Sequence, residues 1–421
     1  MSCLRERKWL PKDERRRGRM LKTAGITVLA AMLGMLLMFA ACVSGPSAQG
    51  ERWVEIGDIA PLTGATAGPE QINLEGWQDY VRYFNEQHGI PGVAIKLSWI
   101  DTSLDAARFL SAYQAFVERG VPIIYSDNSL CLYAVQRRLP VDQMPVFTAT
   151  ATATLIYPPG WVYCPSPTFG EVSTAVLDYF VENWTEERRP KVTYFGLDGY
   201  VGRGAAEEVT RYAESLGIDL LPFEPAPYVV IDATPQLLRI KERGTDLAML
   251  HGIVPTVAPI LRDAARLGLL GEMQFAGLEF TMGDTLLNMA GFATEGYLAP
   301  RTTPWFDETE VSGIALIRQT QQRYHGKTRS DPEYMSGWLS AAVVCEAIRR
   351  AIEDVGYENL DGVATKMALD AMEDFDVDGI ARISYSPEQR RGSRVAAVYQ
   401  IIDGKVVRVS QWRETPILVP Q

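Results

Sequence analysis

Three histidines, a run of threonines and a large stock of carboxylates are the side chains in this sequence that could do chemistry. His88 and His325 each precede a glycine at an expected helix end, where a cation suits the helix dipole, so both read as structural. His251 closes a buried apolar run and could line a cleft. No HExxH, CxxC, GxSxG or Walker loop occurs, so the common signatures of metal, dithiol, acyl-transfer and nucleotide chemistry are missing. Gly199-Tyr200-Val201-Gly202-Arg203-Gly204 follows a strand and opens a helix, but its spacing is not the dinucleotide fingerprint. Neither a metal nor a cofactor is expected, and no catalytic set emerges. The run Val146 to Thr154, VFTATATAT, is the oddest stretch. As a strand it would carry hydroxyls on one face. As a loop it would let a ligand approach the backbone, with hydroxyls that both donate and accept.

Those residues need a scaffold, and the apolar rhythm supplies one. Short apolar runs at Val54–Ala60, Val93–Ile100, Val121–Tyr125 and Met144–Phe147 alternate with helical stretches. Ile72, Trp77, Tyr80, Val81 and Phe84 mark the first helix, and Ser103 or Asp105 would cap the next, Leu104–Val117. The alternation stops near Cys164 and restarts. Expected helices at Glu171–Trp184, Ala205–Leu216, Thr234–Arg243 and Val257–Leu267 alternate with strands at Lys191–Gly196, Asp219–Phe223, Asp246–His251 and Met273–Gly277. Strands alternating with helices predict parallel sheets covered on both faces, and the restart predicts two of them. From Glu310 to Met372 the chain reads mostly helical. Asp403-Gly404 between Arg394–Ile402 and Lys405–Trp412 signals a hairpin.

The N-terminus is a separate matter. Residues 1–22 carry nine Lys or Arg against three Asp or Glu, and the uncharged apolar stretch Ala24 to Ala41 follows. A basic head, an apolar middle and small residues make an export signal, and the apolar part reaches the lower limit of a membrane span. Ala40-Ala41-Cys42 resembles a lipobox, with Phe39 where leucine is usual, so Cys42 is the expected lipidation site and an uncleaved anchor the alternative. Both place the rest outside the cytoplasm and attached to a membrane. Residues 43–421 hold 32 basic against 49 acidic residues, which excludes nucleic acid and anionic lipid surfaces as partners. Of Cys131, Cys164 and Cys345, an oxidising compartment permits one bridge, and Cys131 with Cys164 is the favoured pair; two free buried thiols are the alternative.

Several short motifs, in order, resemble the substrate-binding proteins of branched-chain amino-acid ABC importers. Ile56-Gly57-Asp58-Ile59-Ala60-Pro61-Leu62-Thr63-Gly64 is similar to the family's first strand and PLTG loop. Gly76 falls at its helix glycine, Tyr83-Phe84-Asn85 at its helix end, and Ile100-Asp101-Thr102-Ser103-Leu104-Asp105 at its D-x-S-D turn. Gly202-Arg203-Gly204 and Phe275-Ala276-Gly277-Leu278-Glu279 follow in the expected order. The resemblance implies an α/β fold of two Rossmann-like lobes with parallel sheets, joined by a three-segment hinge. Residues 1–42 would be the signal, 43–52 a tether, 53–167 with 300–381 one lobe, and 168–299 with 382–415 the other.

The same resemblance implies capture of an amino acid, amide or related carboxylate between the lobes, without chemistry, for delivery to ABC permease subunits. A sensory module of the same fold, signalling to a membrane partner, is the alternative. Thr150, Ala151 and Thr152 match the family's ligand-contacting loop, and Glu279 its acidic partner of the ligand ammonium. Thr63 and Thr66 lie in the first strand-to-helix loop, Ser126, Asp127 and Asn128 end the third strand, and Tyr200 would wall the cleft from the second lobe. Gly68-Pro69 stands where an aromatic residue is usual, Leu130 (or Ser129, after a one-residue slip) at a usual serine, and Val201 at a usual tyrosine. These departures weaken the carboxylate clamp of an ordinary aliphatic amino-acid site.

Overall fold

The structure, a computed structural model, describes residues 52–64 and 67–420. Cys42, the export signal, residues 43–51 of the tether and Thr66 lie outside the described residues, and Arg52, expected as the end of the tether, opens the first strand. No helix among the described residues is long and apolar enough to cross a membrane.

The first sheet collects β1 (Arg52–Ala60), β2 (Val93–Asp101), β3 (Ile124–Tyr125), β4 (Val146–Phe147) and β5 (Val162–Tyr163) in the order β2-β1-β3-β4-β5. Its inner pairings are parallel, with Gly57 opposite Ile124, Ile124 opposite Val146, and Val146 opposite Val162. Helices α1 (Ala67–Glu86) and α2 (Ala106–Glu118) connect the first strands. Asp105 caps α2 by accepting from the Arg108 amide at 2.8 Å, one of the two caps the sequence offered. α3 (Ser129–Val135) follows β3, and the threonine run leaves β4 directly into a helical turn, α4 (Ala153–Ile156).

The chain then crosses to the second sheet through α5 (Phe169–Glu182). Its capping box is complete: the Glu171 amide donates to Thr168 Oγ1 at 3.2 Å and the Thr168 amide to Glu171 Oε2 at 3.0 Å. β6 (Lys191–Leu197), α6 (Tyr200–Ser215), β7 (Asp219–Leu220), β8 (Glu224–Ala226), β9 (Leu247–His251), β10 (Gln274–Gly277) and β11 (Leu298–Arg301) build most of that sheet. The strand expected over Asp219–Phe223 is two short strands, because Pro222 interrupts it and only Glu224–Ala226 resumes pairing with β6. Neighbouring strands from β6 to β11 run parallel.

Returning to the first half, α7 (Ser312–His325), α8 (Pro332–Val355) and α9 (Gly362–Asp370) give the helical stretch read from sequence. A small hairpin, β12 (Phe375–Asp376) with β13 (Arg382–Ile383), precedes β14 (Val395–Ile402), β15 (Lys405–Arg408) and β16 (Arg413–Glu414). β14 and β15 pair antiparallel through Asp403 (φ 50°) and Gly404 (φ 69°), the left-handed pair that a two-residue hairpin requires.

Two lobes result, joined where 164–168, 302–311 and 384–394 run between the sheets. The Cys164 amide donates to the Arg390 carbonyl at 3.0 Å and the Gly392 amide to the Cys164 carbonyl at 2.8 Å, which ties the first and third connections together. The buried Arg391 guanidinium reaches Glu171 Oε1 at 3.1 Å across the same junction. Cys131 and Cys164 carry free thiols, not the bridge favoured from sequence. Cys131 is fixed in the first turn of α3, while the Cys164 thiol donates to the Ser166 carbonyl at 3.3 Å.

Candidate functional site

In open α/β sheets the carboxyl ends of the strands leave a crevice where loops and helix starts converge. Here the crevices of both sheets face each other around a cavity of about 120 Å³. From the first lobe come Pro61 after β1, Asp127, Asn128 and Ser129 after β3, and Pro69 with Glu70 at the start of α1. Leu197 and His251, the last residues of β6 and β9, stand opposite with Tyr228 after β8 and Phe280 after β10, and with Phe169 and Val201 from the first turns of α5 and α6. Glu333, in the first turn of α8, completes the wall.

Two glycines bring the acids of α1 and α8 to one place. A Cβ on Gly76 would stand 2.2 Å from the Tyr334 carbonyl oxygen, and one on Gly337 would stand 2.0 Å from that of Asn73. The helices therefore cross at backbone contact. Glu70 and Glu333, each in the first turn of its helix, consequently face the same cavity.

Carboxylates dominate the electrostatics. Burial pushes Asp58, in β1, up to about 8, and the charge of Asp127 adds to this. Asp127 is pushed up to about 7 by burial and by Glu279, against donation from the Ala149 amide and the Thr148 hydroxyl. Burial raises Glu333 to about 8; Asp331 adds to it, while Arg301 and Arg329 oppose it. Glu70 is raised well above the carboxylate range by burial and then by Asp127, Asp58 and Glu333. Asp58 Oδ1, Glu333 Oε2 and Asn128 Nδ2 are buried without a hydrogen-bond partner among the described residues. Buried polar atoms are seldom left so. Among the described residues no Lys or Arg lines the cavity. His251 does, but burial pushes it down to about 3, and its Nδ1 is engaged by the Tyr194 hydroxyl at 2.6 Å.

A second set of carboxylates closes the gap beside the cavity. Thr150 Oγ1 in the first lobe donates to Glu279 Oε1 at 2.9 Å, and Thr302 Oγ1 donates to Glu279 Oε2 at 2.9 Å. Glu208 from α6 accepts the Ala153 amide at 3.0 Å and the Thr168 hydroxyl at 2.8 Å. The Tyr133 hydroxyl joins the hydroxyls of Thr152 and Thr154, and its ring lies 5.7 Å from that of Tyr200.

Of the residues singled out from sequence, the structure gathers Asp127, Asn128 and His251 at the cavity. It places Thr150 and Glu279 in the interlobe latch and Thr152 on the Tyr133 hydroxyl within the first lobe, and the Ala151 carbonyl accepts the Phe169 amide at 3.0 Å. Thr63 bonds Asp101 Oδ2 and Ser103 Oγ, both at 2.6 Å, and the Ser126 hydroxyl donates to the Ile59 carbonyl at 2.6 Å. Tyr200 is 76% exposed, and its neighbour Val201 reaches the cavity instead. Sequence reasoning missed Glu70, Glu333 and Asp58. A charged residue within the apolar strand Ile56–Ala60 was a legible signal for Asp58, and an acid following the Gly68-Pro69 departure was one for Glu70. Nothing local marks Glu333, whose place depends on the helix crossing.

The family model described as periplasmic binding protein matches residues 54–405. The Leu/Ile/Val-binding protein homolog 2 of Brucella abortus (strain 2308) is 23% identical over 272 residues, covering 60% of this chain and 68% of that one. A branched-chain amino-acid ABC transporter protein from Thermus thermophilus with bound valine superposes with a TM-score of 0.80 at 24% identity, over 87% of this chain and 97% of that one. A solute-binding protein from Rhodopseudomonas palustris BisB5, in complex with 3,4-dihydroxybenzoic acid, gives 0.74 at 18% identity, over 87% and 98%.

Proposed function

Since the chain belongs to the periplasmic binding protein family, whose members are solute-binding proteins and not enzymes, we propose that it captures one small polar solute between its lobes and delivers it to an ABC permease. The cavity carries this reading: both lobes line it, apolar and aromatic side chains wall it, and a few convergent polar groups supply recognition. We further propose lobes of 53–167 with 300–381 and 168–299 with 382–415, and attachment to the outer face of a membrane through a lipidated Cys42. The ordered motifs of the N-terminal segment support the anchor, and the paired connections at Cys164 and Arg391 support a hinge.

Thermal-shift screening of the full-length protein in detergent against amino acids, amides, aromatic acids and amines tests the capture reading. At least one compound is expected to raise Tm saturably, with calorimetric stoichiometry of one per chain and recovery of the compound unaltered. Turnover of the compound, or binding indifferent to Phe169→Ala in the cavity wall, would overturn it.

A further inference from the structure

Resting on the capture reading, we infer that the cleft selects an organic cation: an amine or guanidinium solute with several N–H donors and no carboxylate of its own. Glu70, Asp127 and Glu333 reach the cavity from three separate elements, and among the described residues no positively charged side chain lines it. Asp58 and Glu333 are more than nine-tenths buried, and each has an oxygen without a donor among the described residues. Glu333 lines the cavity itself. A buried acceptor that the protein leaves unpaired is matched by a ligand donor.

A metal ion fits poorly. Among the described residues, the only acidic or histidine group with ligand atoms all within 4.8 Å of one another is Glu75, Asp79 and His325, away from this cavity. Among the described residues no three of the cleft carboxylates come that close together, which suits a solute with donors at separate points. Phe169, Phe280 and Tyr228 supply aromatic surface for an alkyl stem or a cation.

A ligand carboxylate would find one unpaired donor, Asn128 Nδ2, but no charged partner among the described residues of the lining. Helix starts that would otherwise attract an anion, those of α1 and α8, present Glu70 and Glu333 instead. Glu279 has both oxygens satisfied by Thr150 and Thr302, so the ammonium acceptor implied by the resemblance is already engaged. Arg301, the nearest buried base, is turned toward Thr303, donating to its hydroxyl at 2.7 Å.

The raised carboxyls add a pH signature. Empty, the cleft holds protons near neutrality on Asp58, Asp127 and Glu333. The charges around these groups are Glu70, Glu279 and Asp331 on the acidic side and Arg301 and Arg329 on the basic side; His251 is neutral. A bound cation favours the ionised forms, so binding releases protons and tightens as pH rises from 6 to 8.

Calorimetric titration of the full-length protein with 1,4-diaminobutane and agmatine, at pH 6 and pH 8, tests this, with valine, succinate and acetamide as comparison probes. One site per chain is expected for an amine probe, about tenfold tighter at pH 8, which corresponds to a mean release of about half a proton per bound ligand over those two pH units. Glu333→Gln and Asp127→Asn should each weaken it about tenfold or more with the circular dichroism unchanged, while Glu272→Gln, at an exposed acid outside the cavity, leaves it alone. Valine, succinate or acetamide binding one per chain and lost in Phe169→Ala, with the amines inert, would overturn the cation assignment and leave the capture reading standing. Amine binding that survives both acid substitutions would also overturn it. Failure of every probe would overturn it together with the capture reading.

Discussion

Two groups of buried carboxylates lie side by side between the lobes, and they differ in what donates to them. Glu279 and Glu208 are enclosed by Thr150, Thr302, Thr168 and the Ala153 amide, so all four of their oxygens are engaged by the protein. Asp58 and Glu333 each keep an oxygen without a partner among the described residues, and Glu333 lines the cavity that Asp127 and Glu70 also face. Residue type and depth are alike; the hydrogen-bond accounts are not. An acid whose acceptors are filled holds the protein together, and one whose acceptors are vacant is prepared for something else.

Breaking the geometry behind this contrast should have the largest effect. Gly337→Ala drives a methyl into the Asn73 carbonyl, so α1 and α8 must part and Glu70 and Glu333 separate. A loss of about 3 kcal/mol or more in stability, read by urea unfolding, is expected. Glu279→Ala strips the acceptor from two hydroxyls in the latch and should cost about 2–3 kcal/mol by the same measurement.

Asp58→Asn works in the opposite direction and so sharpens the comparison. A carboxyl whose folded pKa is about 8 instead of the usual 3.8 binds more protons folded than unfolded between those values. Its contribution is therefore complete below about pH 4 and is lost progressively as pH rises toward 8. The substitution should raise Tm by roughly 1–3 °C at pH 8 and hardly change it at pH 4. Thr63→Ala, on a half-exposed loop outside both groups, should alter stability by less than about 0.5 kcal/mol.

Legibility in the sequence followed locality. The alternating elements, the Asp105 cap and the Asp403-Gly404 turn depend on neighbours in the chain, and they stand where the residues indicated. The division of the strand expected near Asp219–Phe223 into β7 and β8 was not legible, because the apolar run around Pro222 is too short to show its own break. The threonine run signalled the interlobe region, yet whether Thr150 serves a ligand or Glu279 depends on a partner 129 residues away. Glu333 reaches the cavity only because Gly76 and Gly337 let two helices touch, a relation that no window of sequence contains.

The most direct test is a crystal structure of the protein grown with 1,4-diaminobutane. Nitrogen atoms within about 3 Å of the Glu333 and Asp127 carboxylates, with Glu279 still held by Thr150 and Thr302, are the expected result. Nitrogens bound instead to a freed Glu279, with Glu333 and Asp127 untouched, would contradict it.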